Sequence, residues 1–170
     1  MKKVDGKTKS EKRSGPLGSM SAVDTRLGKI HCLKRDQYIG KSLYHYGEWA
    51  QIEIDRLLGY IRPGDFVIDI GANVGYHALS FALKVGDSGN VWAFEPDPVN
   101  GFLLRLNVLE LGLAKIIKPF DVALSNTTGL CKFRTYPMSA AANFGNTAID
   151  EKFGDYERVS IQIDALEMNK

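Results

Sequence analysis

Residues 66–96 read FVIDIGANVGYHALSFALKVGDSGNVWAFEP. An apolar run from Phe66 to Ile70 carries Asp69 near its end, and a turn holding Gly71 and Gly75 follows. Val74, Ala78, Phe81, Ala82 and Val85 then recur at helical spacing, and a second apolar run, Val91 to Phe94, ends in Glu95. The order is strand, glycine turn, amphipathic helix and strand, a βαβ unit whose crossover is right-handed in nearly all cases. The first run is too short and too uniformly apolar for a surface strand and reads as buried parallel sheet. Glycines in such a turn allow close helix–strand packing whatever the function. The acids say more, because a carboxylate at the end of a buried strand is costly without a partner, and the hydroxyl or ammonium groups of a nucleotide ligand are natural ones.

The glycine spacing separates two kinds of nucleotide. A dinucleotide fingerprint, G-x-G-x-x-G, puts glycines at positions 71, 73 and 76, where this chain has Gly71, Asn73 and Tyr76. A nicotinamide-dependent oxidoreductase therefore fits at Glu95 but not in the glycine register. The pattern D-x-G-x-G-x-G, the first motif of S-adenosylmethionine (SAM) dependent methyltransferases, fits at Asp69, Gly71 and Gly75 with Asn73 as its one departure. Asparagine is the non-glycine residue best suited to a positive backbone angle.

The run Gly64 to Tyr76, then Val85-Gly86, Gly89 and Phe94-Glu95-Pro96, resembles the FkbM-type SAM-dependent methyltransferases. The likeness continues through Leu104, Asn107, Leu113, Ala123-Leu124-Ser125 and Gly129, and spans roughly residues 37 to 166. The resemblance implies an α/β fold, the Rossmann-like doubly wound sheet of class I methyltransferases. It implies SAM as cofactor and O-methylation of a sugar or other small hydroxylated metabolite. Glu95 is then expected to bond both ribose hydroxyls, since an ionised carboxylate accepts two donors. Asp69 is expected at the methionine end, with Gly71, Ala72, Asn73 and Gly75 bringing the backbone close. Asp121 and Val122 fall where the family holds the adenine, although Asp121 is also read as a simple turn former. Glu48, in Tyr46-Gly47-Glu48-Trp49, matches a family glutamate near the cofactor; a first-turn glutamate complementing the helix dipole is the other reading. His77 is the one histidine close to the turn in sequence and a candidate base, with a helix-surface role as the alternative.

In the family a strand with a Lys-Ile-Asp-x-Glu-Gly-like motif follows the segment that residues 161–166 resemble, and this chain ends at Lys170 before it. The fold is accordingly expected to be incomplete after its third strand and antiparallel additions. Asp164 is not assigned to the acceptor-side role of that motif. A fragment with an unpaired apolar strand edge is expected to be inactive by itself and either to self-associate or to fold poorly. A non-catalytic binding module is the alternative of a different class.

Charge is unevenly distributed. Residues 1–14 hold six lysines and arginines against Asp5 and Glu11, a net +4, while the whole chain is +2, which leaves −2 for the remainder. On that balance the folded part is not expected to bind nucleic acid. Residues 1–20 read as a disordered basic tail, and Gly15 to Met20 also resembles the remnant that a protease-cleavable expression vector leaves before a native methionine. Residues 21–43 form a lead-in and 44–170 the SAM-binding portion. No apolar run approaches the ~20 residues that span a bilayer, Cys32 and Cys131 suggest neither a disulfide framework nor a metal site, and the expected location is cytoplasmic.

Other elements follow from pattern. Ala50, Ile54, Leu57, Leu58 and Ile61 predict a helix over 44–61. Asp97-Pro98 starts another, with Val99, Phe102, Leu103, Leu106 and Leu109 as its buried face and Gly112 at its end. Residues 116–124 predict a third strand that Pro119 confines to an edge or bulge. Residues 130–136 and 158–163 read as antiparallel strands flanking a loop over 137–155.

Overall fold

The structure is a computed structural model that describes residues 19–134, 136, 141–146, 152, 154 and 156–162. Its centre is a parallel sheet of β3 (Phe66–Ile70), β4 (Asn90–Phe94) and β5 (Ile117–Phe120), in the order β3-β4-β5. Helix α3 (Tyr76–Val85) links the first pair and α4 (Pro98–Glu110) the second. Two right-handed crossovers stepping the same way place both helices on one face of the sheet. This is the expected Rossmann-like α/β arrangement. Pro119 is accommodated because β5 pairs only with β4, leaving its other edge free of ladder bonds among the described residues.

β3 departs from the reading of a doubly buried strand. Phe66, Ile68 and Ile70 are 40%, 37% and 58% exposed. Among the described residues β3 is an edge strand, and no helix covers that face. Its alternate residues, Val67 and Asp69, turn toward α3. The open face continues across the sheet as aromatic contacts, with Phe66 edge-on to Trp92 at 5.1 Å and Phe94 stacked on Phe120 at 4.6 Å.

The lead-in has structure that its sequence did not signal. β1 (Met20–Thr25) and β2 (Gly28–Leu33) form an antiparallel hairpin closed by Arg26 and Leu27, with Gly28 at φ +118°. Val23, Ile30, Cys32 and Leu33 join the same core as α3 and β4. The helix predicted over 44–61 is two helices, α1 (Ile39–Tyr46) and α2 (Gln51–Leu58). Gly47 at φ +68° and Ala50 at φ +48° break the ladder between them, so the single helical face of the pattern does not exist.

Helix α4 begins as expected, with the Asp97 carboxylate accepting from the N–H groups of Val99 and Asn100 at 2.9 Å. Its buried face is rotated from the expected one: Phe102 and Leu109 are exposed, whereas Asn100, Leu104, Asn107 and Val108 are buried. The asparagines take inward places because their amides bond to backbone groups there. A second sheet follows, in the order β6-β8-β7, built from β6 (Ala123–Ser125), β7 (Gly129–Phe133) and β8 (Tyr156–Gln162). β7 and β8 are antiparallel as expected, while β6 leaves the anticipated 116–124 strand to pair parallel with β8. Of the predicted loop, residues 141–146, 152 and 154 are described, and the first stretch ends in a 3-10 turn, Phe144–Asn146. Asp164 lies outside the described residues. Among them no helix is long and apolar enough to cross a membrane.

Candidate functional site

The turn after β3 curls because Gly71, Asn73 and Gly75 all lie at positive φ, +79°, +53° and +95°. A side chain at Gly71 would meet no atom within 4 Å, so its Cα faces open space. Gly75 is different: a Cβ there would lie 2.6 Å from Leu104 Cδ1. One glycine leaves room for a ligand and the other lets α4 close on the turn. Gly71 and Ala72 both donate their N–H groups to the Phe94 carbonyl, at 2.9 and 3.0 Å, and Ala72 is buried.

Glu95 completes the loop. It is 4% exposed, and its two oxygens accept the backbone N–H groups of Asn73 (2.7 Å, Oε2) and Asp97 (2.8 Å, Oε1). Burial pushes its carboxyl up to about 7, with the two N–H groups pulling down and the charges of Asp97 and Asp69 adding to the rise. Each oxygen keeps a lone pair for a further donor. A cavity of about 220 Å³ opens beside it, lined by Gly71, Asn73, Glu95, Val122 and, from the far side, Gly145.

Asp69 faces a different space. Burial pushes its carboxyl up to about 6, the backbone N–H of Ala78 opposing, and its Oδ2 is buried with no hydrogen-bond partner among the described residues. It shares a cavity of about 480 Å³ with Gly71, His77, Glu53 and Tyr60, and Gly71 lines both cavities. Burial lowers the His77 pKa, and the charge of Glu53 opposes that shift.

Two expected residues are engaged elsewhere. The Asp121 carboxylate is 2.6 Å from Arg105 Nη1, so its side chain turns toward α4 while Val122 lines the cavity beside Glu95. Glu48 pairs with Arg26 at 3.0 Å and lines a cavity with α2 residues.

Two asparagines that composition does not single out hold the turn in place. Asn107 donates to the carbonyls of His31 (3.0 Å) and Val74 (2.8 Å) and accepts the His31 N–H at 2.7 Å, joining α4, the hairpin and the turn. Asn100 donates to the Phe144 carbonyl at 3.1 Å, which also receives the Asn73 amide at 3.4 Å. The available signal was polar residues seven apart on one face of an apolar helix.

No family model matches the chain. Over 77 residues it is 38% identical to the 31-O-demethyl-FK506 methyltransferase FkbM of Streptomyces tacrolimicus, covering 45% of this chain and 28% of that protein. It is 32% identical over 111 residues to the ribosomal RNA large subunit methyltransferase E of Oleidesulfovibrio alaskensis, covering 56% and 51%, and 26% identical over 112 residues to that of Bdellovibrio bacteriovorus, covering 57% and 55%. The chain thus spans at most about half the length of these relatives. Among solved structures, a SAM-dependent O-methyltransferase of Thermotoga maritima aligns with a TM-score of 0.42 at 17% identity, covering 62% of this chain and 47% of that one. The M. jannaschii tRNA m1G37 methyltransferase aligns at 0.46 and 18%, covering 65% and 34%.

The ribosomal RNA methyltransferases among these relatives overturn the expectation of a small hydroxylated acceptor with nucleic acid excluded. Net charge averages over the surface, and binding is decided locally: residues 21–47 hold five lysines and arginines against two aspartates. Over about half of its length the chain is similar in sequence to methyltransferases, and it has a Rossmann-like α/β fold.

Proposed function

We propose that this chain is the cofactor-binding portion of a SAM-dependent methyltransferase of FkbM type that acts on a hydroxyl oxygen. The observation that carries the reading is the Glu95 carboxylate, buried between the N–H groups of Asn73 and Asp97 and lining a cavity with Gly71. The residues fit the cofactor on two further counts: the open space at Gly71 and the orphaned, buried Oδ2 of Asp69. Glu95 takes the ribose hydroxyls on its remaining lone pairs, Val122 borders the adenine, and Gly71, Ala72, Asn73 and Gly75 supply a backbone that a tail can approach closely. Asp69 faces the methionine end. Asp121 and Glu48 reach the ligand only by leaving Arg105 and Arg26, and the proposal does not depend on them.

When bound, the cofactor supplies an electrophilic methyl group together with its leaving group, so the protein's part is positioning and removal of a hydroxyl proton. His77, which lines the cavity with Asp69, is the imidazole we assign to accept that proton. The names of the relatives include 31-O-demethyl-FK506 and ribosomal RNA as acceptors, and the acceptor is not confined here to small molecules. Calorimetric titration with S-adenosylhomocysteine and with NAD tests the reading. Binding of the first and not the second supports it; preference for NAD, or no binding of either by a cooperatively melting chain, contradicts it.

A further inference from the structure

Helix α1 and the residue that precedes it present Tyr38, Tyr44 and Tyr46 at 55%, 67% and 77% exposure. Tyr44 meets His45 edge-on at 5.2 Å, and His45 lies 6.3 Å from Tyr46, so exposed rings follow one another around the last turn of α1. Tyr44 and His45 also line a cavity of about 520 Å³ together with Lys34, Lys41 and Asp36. The aspartate is turned inward at 4% exposure, where its oxygens accept the N–H groups of Tyr38 (3.1 Å) and Gly40 (2.9 Å). Lys34 and Lys41 are exposed. Cations beside accessible ring faces are the combination that holds a single nucleic-acid strand, phosphates on the charges and bases on the rings. A duplex offers its bases no such access.

The position of this surface relates it to the candidate cofactor cavity. The Gln37 N–H donates to the Ala142 carbonyl at 3.0 Å, and a side chain at Gly145 would press on Ile39 Cδ1 at 2.9 Å, so residues 141–146 rest on the start of α1. The same segment offers its Phe144 carbonyl to Asn73 and Asn100, and Gly145 borders the cavity beside Glu95. One short strap is thus a wall of the cofactor cavity on one side and the seat of the basic, aromatic helix on the other. A membrane surface fits less well, because an interfacial helix needs an apolar face to insert, and Ile39 and Leu43 of α1 are buried in the core.

We propose that Lys34, Lys41 and Tyr44, with His45 and Tyr46, bind single-stranded RNA and hold it against the wall of the cofactor site. This deepens the methyltransferase reading by naming an acceptor class and rests on that reading for its purpose. RNA binding itself is measured without cofactor, so the two fail separately: RNA bound by a chain that ignores S-adenosylhomocysteine removes the first reading and leaves this one.

The test is fluorescence anisotropy of an unstructured RNA of about 12 nucleotides with the full chain over a range of salt. Lys34→Gln with Lys41→Gln is expected to flatten the slope of log affinity against log salt by about 1.4, the share of two phosphate contacts on a single strand. Tyr44→Ala is expected to weaken binding about ten-fold without changing the slope. Both variants should keep the parent's melting temperature and S-adenosylhomocysteine affinity. A third variant with Lys2, Lys3, Lys7, Lys9, Lys12 and Arg13 replaced by Gln separates the basic tail. Binding that disappears in this third variant and survives in the other two overturns the proposal. So does the absence of RNA binding, or binding to phosphatidylserine vesicles in its place.

Discussion

The carboxylate of Glu95 accepts the backbone N–H of Asn73 at 2.7 Å, so the end of β4 holds the glycine turn that follows β3. A residue expected as a ligand contact is a structural tie in this fold. Asn73 in turn gives its amide to the Phe144 carbonyl, and its own Oδ1 accepts the Val74 N–H at 2.8 Å. The asparagine at the middle glycine position therefore supplies both the left-handed backbone and two side-chain bonds that a glycine lacks.

Glu95→Ala is expected to weaken S-adenosylhomocysteine binding by about 2–4 kcal/mol, from lost charge-assisted bonds and a loosened turn. The same variant leaves the N–H groups of Asn73 and Asp97 without their acceptor, and its melting temperature should fall as well. Calorimetry and thermal melting read the two effects separately. Unchanged affinity removes the ribose assignment.

Gly71→Ala and Gly75→Ala should part company. Both force a side chain into a left-handed backbone, at a cost of about 1–2 kcal/mol. Only Gly75→Ala adds a collision with Leu104 in the core, for a further ~1–3 kcal/mol. Denaturant titration is expected to rank Gly75→Ala as the less stable, while Gly71→Ala, with space around it, folds and loses cofactor affinity. Equal stability of the two contradicts the packing role of Gly75.

Asn107→Ala removes the partner of three backbone groups, the N–H and carbonyl of His31 and the carbonyl of Val74. Buried groups left unpaired cost ~1–3 kcal/mol each. A loss of at least about 3 kcal/mol in a denaturant titration is expected, and a change within ±0.5 kcal/mol shows that α4 does not hold the hairpin and turn together in this way.

The pH dependence follows from the raised carboxyls. Asp69 goes from an ordinary 3.8 to about 6 and Glu95 from 4.5 to about 7, so over that range the folded chain holds protons that the unfolded chain has lost. Their contribution to stability is therefore most favourable below the unfolded values and declines as pH rises to about 7. Melting curves across this range should show a shallower decline in Glu95→Ala than in the parent. A ligand hydroxyl donating to Glu95 favours its ionised form, so S-adenosylhomocysteine binding near pH 6.5 should release protons, seen as a buffer-dependent calorimetric heat. Proton uptake on binding contradicts this.

The βαβ core was legible because period and punctuation agree there: the Phe66–Ile70 run, the glycine turn and the Asp97-Pro98 cap each have one local solution. The hairpin was not, since its Arg26-Leu27 turn has none of the Asn-Gly chemistry that marks such turns and its strands alternate weakly. Residues 44–61 misled because Ala50 and Gly47 adopt left-handed angles that apolar spacing does not reveal. Of the candidate site, the shape of the turn was legible where it depends on backbone, at Gly71, Asn73 and Gly75. The partners of Asp121 and Glu48, by contrast, are arginines 16 and 22 residues away in sequence, and tertiary packing alone brings them together.

The most direct test of the proposed cofactor site is the backbone amide spectrum of the isotope-labelled chain with saturating S-adenosylhomocysteine. Shifts are expected at Gly71, Ala72, Asn73 and Asp97, the amides of the turn and of the Glu95 strand end, with the hairpin amides of residues 20–33 unmoved. Ligand binding that leaves those four amides in place, or perturbs only residues distant from them, contradicts the account.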